Sequence, residues 1–425
     1  MKTGPKRILF ATMGSLGDLH PCLALGLELQ RRGHTVTIAA TPFYQPKIEQ
    51  CGIAFKPLRP DWDPTSGELV AKCADMRSGP EVLLRELTLP HLEDTYTDLL
   101  AAARDADFMI SGELVFAAPL VAEKLNLRWA SATLSPVSFL SAHDPSVLVT
   151  APQLILLRKA GLGVNRAILN LSRVLLRPWW GPIHALRHKE GLSPSREPLF
   201  EDKFAPELAL ALFSRCLAQP QPDWPPQTVQ PGFAFYDRPH GQQQPDPALD
   251  AFLNSPDVLA DPPIVFTQGS AAVHYPGEFY SVSIEAARLI GRRSLLIGVD
   301  PSSVPPAPDI LAVQYAPYSE VFSRAAVVVH QGGSGTTGQV MQAGRPMLVV
   351  PFGWDQPDNA ARVVRLGTAL SLSRERYTAK RAARALRRLT VEPHFRERAQ
   401  LVQKEMQAED GVSSACNAVE QLLSR

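Results

Sequence analysis

The strongest constraint on how this chain can fold is the stretch 325–359, AAVVVHQGGSGTTGQVMQAGRPMLVVPFGWDQPDN. It opens with an apolar, β-branched run at 325–329, which suits a strand buried on both faces of a parallel sheet. The run breaks into His330-Gln331-Gly332-Gly333-Ser334-Gly335-Thr336-Thr337, a glycine-rich turn. From Ser334 to Gln342 neither proline nor charge interrupts the chain, and Gly344-Arg345-Pro346 stops a short helix before a second buried strand at 347–351. A loop of this kind gathers backbone N–H groups, hydroxyls and the positive end of a helix dipole, so it predicts an anion site suited to a diphosphate. A tight turn with no ligand is the alternative for the glycines taken alone.

Downstream stands Asp355-Gln356-Pro357-x-Asn359. The ordered set of His, Gly-Gly-x-Gly-Thr-Thr, Gly-x-Pro, Pro and Asp-Gln resembles the donor-binding signature of the UDP-glycosyltransferase superfamily in its bacterial version. Upstream, Tyr315-Ala316-Pro317-Tyr318-Ser319-Glu320 occupies the place where many members have Trp-x-Pro-Gln. That variant is similar to the branch holding rhamnolipid-type rhamnosyltransferases and sterol glucosyltransferase-like enzymes.

At 425 residues the chain exceeds one ordinary core, which predicts two domains. A hydrophobic content of 45%, a charged content of 20% and a formal net charge of +1 fit a globular protein and give no reason to expect nucleic acid. The five cysteines, Cys22, Cys51, Cys73, Cys216 and Cys416, lack metal-ligand spacing and are odd in number. A reducing cytoplasm is therefore expected. The apolar run at 8–11 is too short for a signal peptide, and no stretch reaches spanning length.

Apolar runs at 7–12, 34–41, 53–58, 107–111 and 129–134 read as strands separated by helical stretches. A second series follows at 263–267, 294–299, 311–315, 325–329, 347–351 and 368–372. Such alternation predicts an α/β fold with parallel, doubly wound sheets. The expected boundaries are a first Rossmann-like domain at 1–219, a Pro/Gln-rich linker at 220–247, a second Rossmann-like domain at 248–410 and a terminal helix at 411–425. The resemblance implies the GT-B fold, in which two such domains face one another across a cleft, the first holding the acceptor, the second the nucleotide sugar, with the last helix returning to the first. A dinucleotide-dependent oxidoreductase would need Gly-x-Gly-x-x-Gly in the first turn and an acid ending the second strand. Here Gly14-x-x-Gly17 is too short, and the second strand ends Ala39-Ala40-Thr41-Pro42.

Glycosyl transfer needs stabilisation of a leaving diphosphate, orientation of the sugar and a base for the acceptor's proton. The resemblance assigns phosphate contacts to His330, Ser334, Gly335 and Thr336, with Ser270 as a second contact from the first turn of the second domain, and counts Gly14 and Gly332 among the donor-binding residues. It sets Tyr315 with Ala316 against the base, Gln339 on the ribose in place of the Glu of bacterial relatives, and Asp355 and Gln356 on sugar hydroxyls. The residues alone leave other readings open: a buried imidazole for His330, a core aromatic for Tyr315, and helix N-caps for Ser270 and Asp355. For the base, Gly17-Asp18-Leu19-His20-Pro21 matches Gly-Asp-x-x-Pro, which selects Asp18, with His20 as runner-up. Asp18 also suits an N-cap of a helix entered at Pro21. Glu113 lies near the place where plant members support their base with an Asp.

Two Asp-x-Asp pairs, Asp61/Asp63 and Asp105/Asp107, read as solvated loop acids, so neither a metal nor another cofactor is expected. The segment 145–189 has no acid and several arginines among leucines and tryptophans. That suits an anionic membrane or an acidic lipid acceptor, with helices packed on the domain and arginines in water as the alternative. The expected function is inverting transfer of a hexose, glucose or rhamnose, from a UDP- or dTDP-sugar to a hydroxyl of a small lipophilic acceptor such as a phenolic, sterol or hydroxy-fatty acid. A non-catalytic sugar-nucleotide binding protein is the alternative.

Overall fold

Two all-parallel sheets, each with helices between its strands, are seen in a computed structural model that describes residues 4–237, 247–270 and 272–425. Most of the Pro/Gln-rich part of the expected linker, 238–246, lies outside the described residues. The chain divides into two compact units, one of Met1–Pro64, Arg77–Tyr236 and Asp410–Arg425, the other of Thr65–Met76 and Asp237–Glu409.

The first sheet is built from β1 (Arg7–Ala11), β2 (Thr35–Ala40), β3 (Ala54–Pro57), β4 (Phe108–Gly112), β5 (Trp129–Thr133), β6 (Ala209–Ala211) and β7 (Thr228–Val229), in the order β3-β2-β1-β4-β5-β6-β7. Apolar side chains leave both its faces. Ile8 and Phe10 point into a cluster with Leu19, Leu23 and Leu29 of the helix Leu16–Arg31. Leu9 and Met109 enter another with Leu92, Tyr96 and Leu99. Covering by helices on both sides explains why these strands are continuous apolar runs and not alternating ones. The helix Gly411–Leu423 sends Ala415, Cys416 and Val419 into the first cluster, and Glu420 receives a hydrogen bond from Arg32 at 2.6 Å.

The second sheet holds β8 (Ile264–Thr267), β9 (Ser294–Ile297), β10 (Ile310–Val313), β11 (Val327–His330), β12 (Met347–Val349) and β13 (Ala369–Ser371), ordered β10-β9-β8-β11-β12-β13. In each sheet the order reverses beside its first strand, between β1 and β4 and between β8 and β11. Loops leaving the carboxyl ends of strands at such a switch point diverge and leave room for a ligand.

Three features depart from the sequence reading, the first being that 220–236, expected as linker, belongs with the first unit and carries β7. β6 lies in Leu208-Ala209-Leu210-Ala211-Leu212, which was not expected as a strand. Alanine and leucine favour helix intrinsically, and only pairing with β5 makes this run extended. The helix Gly67–Ala74 belongs with the second unit, although it lies within the expected first domain. Its packing there is close: a Cβ on Gly67 would lie 2.7 Å from the His274 carbonyl oxygen, and one on Gly353 would lie 2.7 Å from that of Ala74.

Candidate active site

In the first unit the chain leaves β1 through Gly14, whose φ of +124° is easily reached only without a Cβ. Ser15 then caps the helix Leu16–Arg31: its Oγ accepts the Gly17 N–H at 3.1 Å, while the Asp18 carboxylate accepts the Ser15 N–H at 2.8 Å. This reciprocal capping box starts the helix five residues before Pro21, which sits inside it. The expected N-cap role of Asp18 is thus corrected: Ser15 is the N-cap and Asp18 its partner three residues on. A side chain at position 14 would collide with the Asp18 carboxylate, so the glycine lets that acid fold back over the turn.

His20 lies on the same helix. Its Nε2 is buried without a hydrogen-bond partner, and its ring is 5.2 Å from that of Tyr236, which Lys47 overlies. Burial first, and the Lys47 charge second, push its pKa down to about 3, so the ring is neutral. Glu113 does not support either residue. Its carboxylate accepts the Leu134 N–H at 3.2 Å and lies 3.4 Å from Lys203 Nζ, which also donates to the Ser138 carbonyl.

In the second unit the strand β11 ends in His330, fully buried. Its Nδ1 accepts the Gly332 N–H at 3.1 Å and its Nε2 faces Met347 Sδ at 3.4 Å. Burial pushes the pKa to about 3. The ring is therefore neutral and supports the turn from below, as the buried-imidazole alternative describes. Gly332 has φ +95°, and a Cβ there would stand 2.7 Å from Val349 Cγ1 and 3.1 Å from the Gln356 carbonyl oxygen.

The helix Ser334–Gln342 begins immediately afterwards, and its N-cap, Gly333, has no side chain to occupy the first-turn N–H groups. Gly335 is exposed, with nothing within 4 Å of an added Cβ. Ser334 is half-buried, Thr336 buried and Gln339 half-buried one turn along. The turn after β8 adjoins this loop because β8 and β11 are paired. There Gly269 has φ +66°, its N–H meets Thr267 Oγ1 at 3.3 Å, and Ser270 is half-buried beyond it.

Asp355 is the N-cap residue of the helix Gln356–Arg365 but makes no cap bond. Its Oδ2 accepts from Asn359 Nδ2 at 2.7 Å, and the same amide donates to the Gly332 carbonyl at 3.0 Å. Gln356 turns its Oε1 to the N–H groups of Phe352 and Gly353, at 2.7 and 3.3 Å. Asn359 thus links the glycine turn to Asp355, a role not read from the sequence although its position, four residues after Asp355 on a helix, signals it. Gln268 and Gln331, at neighbouring strand ends, were also missed. Both Gln268 side-chain polar atoms and Gln331 Oε1 are buried without partners. Tyr315 is 36% exposed and not a core aromatic, with its hydroxyl pushed up to about 12 chiefly by partial burial. Ala316 beside it is buried.

Of the Asp-x-Asp acids, Asp107 pairs with Arg7 at 3.1 Å and Asp61 accepts from Thr41 Oγ1 at 3.5 Å.

Residues 8–125 match the glycosyltransferase family 28 N-terminal domain, and residues 298–422 match the erythromycin biosynthesis protein CIII-like C-terminal domain. Over 428 residues the chain is 30% identical to the O-mycaminosyltylonolide 6-deoxyallosyltransferase of Streptomyces fradiae, spanning 98% of this chain and 97% of that one. This chain belongs to the UDP-glycosyltransferase superfamily. The glycosyltransferase is also 27% identical to the sterol 3-beta-glucosyltransferase of Emericella nidulans, over 98% of its own length but only 30% of that protein's. Its fold is GT-B. A glycosyltransferase of Streptomyces sp. SF2575 crystallised with thymidine diphosphate superposes with a TM-score of 0.68 at 19% identity, covering 98% of this chain and 99% of that one. Membership makes the protein a transferase and removes the non-catalytic reading.

Proposed function

We propose that the enzyme is an inverting, metal-independent transferase that moves a hexose from a dTDP- or UDP-sugar to a hydroxyl of a small lipophilic acceptor. The observation that carries this reading is the uncapped helix N-terminus at Gly333, open at Gly335 and preceded by a turn that only glycine fits. Its N–H groups suit the charge that builds on a departing diphosphate as the anomeric C–O bond breaks. Ser334 and Thr336 add hydroxyls, Ser270 comes from the neighbouring turn, and Tyr315 offers a partly exposed ring for a base. Asp355 and Gln356 face the sugar hydroxyls, although Gln356 gives its oxygen to the turn and has only its amide N–H groups for a ligand.

Asp18 is the general base in this proposal, taking the acceptor's proton as the new glycosidic bond forms on the face opposite the leaving group. A neutral His20 with a pKa near 3 is a weak acceptor at neutral pH. The relatives' names support a hexosyl group, 6-deoxyallosyl or glucosyl, and acceptors that include O-mycaminosyltylonolide and sterols. The relative holding thymidine diphosphate supports dTDP-sugars beside UDP-sugars. Calorimetric titration with dTDP and UDP, followed by a donor panel against a sterol, a phenol and a hydroxy-fatty acid, tests the proposal. Binding of neither nucleotide would overturn it.

A further inference from the structure

Between residues 145 and 189 the chain carries seven arginines and lysines and no acid, in a protein whose formal net charge is +1. At its centre is the helix Leu162–Leu176. One side of this helix is anchored: Asn165 is buried and donates to the Ala142 carbonyl at 3.1 Å, and Leu176 packs against the core beside Trp180. Another side is apolar yet open. Leu171, Val174 and Leu175 are 58%, 67% and 65% exposed, and with Val164 they fall on one stripe by helical spacing. Leu156, in the preceding helical turn Pro152–Ala160, is 81% exposed.

Beside that stripe runs a second, of Arg166, Arg173 and Arg177, spaced seven and four residues apart. Arg173 lies over the Phe200 ring, 3.8 Å from Glu201. Lys159, Arg166 and Arg177 are exposed and make no ion pair among the described residues. A surface that is apolar along its ridge and cationic along its edge is complementary to an interface with the same two layers.

We propose that this face seats the enzyme on an anionic phospholipid bilayer, with Leu171, Val174 and Leu175 entering the headgroup boundary and Arg166, Arg177 and Lys159 among the lipid phosphates. No described helix is long and apolar enough to cross a membrane, so this one lies in the plane of the interface. A second copy of the chain is the poorer occupant. A two-fold contact through this face would set the segment against itself, and it holds no carboxylate to meet the other copy's arginines.

The test is flotation of the full chain with vesicles of phosphatidylcholine alone and with vesicles containing added phosphatidylglycerol. The enzyme is expected to float with the anionic vesicles only, and to be released by high salt. Each arginine removed from the edge weakens partitioning by about fivefold, so Arg166→Gln with Arg177→Gln weakens it by about twenty-five-fold. Leu171→Gln, Val174→Gln and Leu175→Gln together abolish flotation at low salt, while an unchanged melting temperature and dTDP titration show that the variant is folded. Wild type that stays in the aqueous phase with both vesicle types overturns the proposal. So does a dimer on gel filtration that the triple variant dissociates, which would assign the face to a second copy.

Discussion

His330 Nδ1 accepts the Gly332 N–H at 3.1 Å, so the imidazole holds the shape of the turn from below. His330→Ala is expected to weaken nucleotide binding by roughly 1–3 kcal/mol through loss of that support. Because the ring is neutral, the loss is the same at pH 6.5 and pH 8. Titration calorimetry at the two values checks this, and a loss that grows toward acid would show an imidazolium acting on phosphate.

The same burial predicts acid sensitivity. His20 and His330 titrate near 3 in the folded chain, below the ordinary 6.5, so the unfolded chain binds their protons more tightly. Stability from each is complete above about pH 6.5 and is lost as pH falls toward 3, at up to ~1.4 kcal/mol per pH unit per group. Urea midpoints at pH 7.5, 6 and 5 measure the slope. His330→Gln should flatten it, and an unchanged slope in that variant would remove the buried-neutral assignment.

Gly332→Ala combines a positive φ with a Cβ 2.7 Å from Val349 Cγ1. The backbone conformation alone costs about 1–3 kcal/mol. A lowered melting temperature with weakened dTDP affinity is expected. A wild-type melting curve together with intact binding would mean that the turn has room the structure does not show.

Asp18→Asn retains an oxygen that can accept the Ser15 N–H, so the capping box survives while the basic carboxylate is removed. Turnover should fall about a hundredfold or more with dTDP affinity nearly intact. His20→Ala should cost less. Steady-state kinetics on both variants decide, and a more damaging His20 change beside a near-normal Asp18→Asn would leave Asp18 only as the capping-box partner of Ser15.

Activity should persist in excess chelator, since the helix N-terminus at Gly333 supplies the stabilisation that a cation supplies elsewhere. Loss of turnover restored by added magnesium or manganese would contradict this.

Much of the molecule is written locally. The apolar runs that become β1, β2, β8, β9 and β11 need both faces covered, and their alternation with helices imposes parallel sheets whatever the details of packing. Likewise Gly332 through Thr336 specify a strand, turn and helix start by backbone freedom and hydroxyl placement alone. The Ser15-x-x-Asp18 capping box was equally local and could have been read from its spacing, which Pro21 obscured. Other assignments depend on what distant residues bring. Leu208 to Leu212 has the composition of a helix and becomes β6 only because β5 offers it unpaired backbone. Glu113 looks like a base's partner until Lys203, ninety residues later, takes its carboxylate. The helix at 67–74 joins the second unit because its surface fits His274 and Gly353 there. The motif marks His330 as a phosphate-contacting position, but only the fold shows that it is buried, with Nδ1 on the Gly332 N–H and Nε2 beside Met347 Sδ. Sequence periodicity reports which surfaces must leave water, whereas the charge state and partners of a side chain depend on which atoms the completed fold places against it.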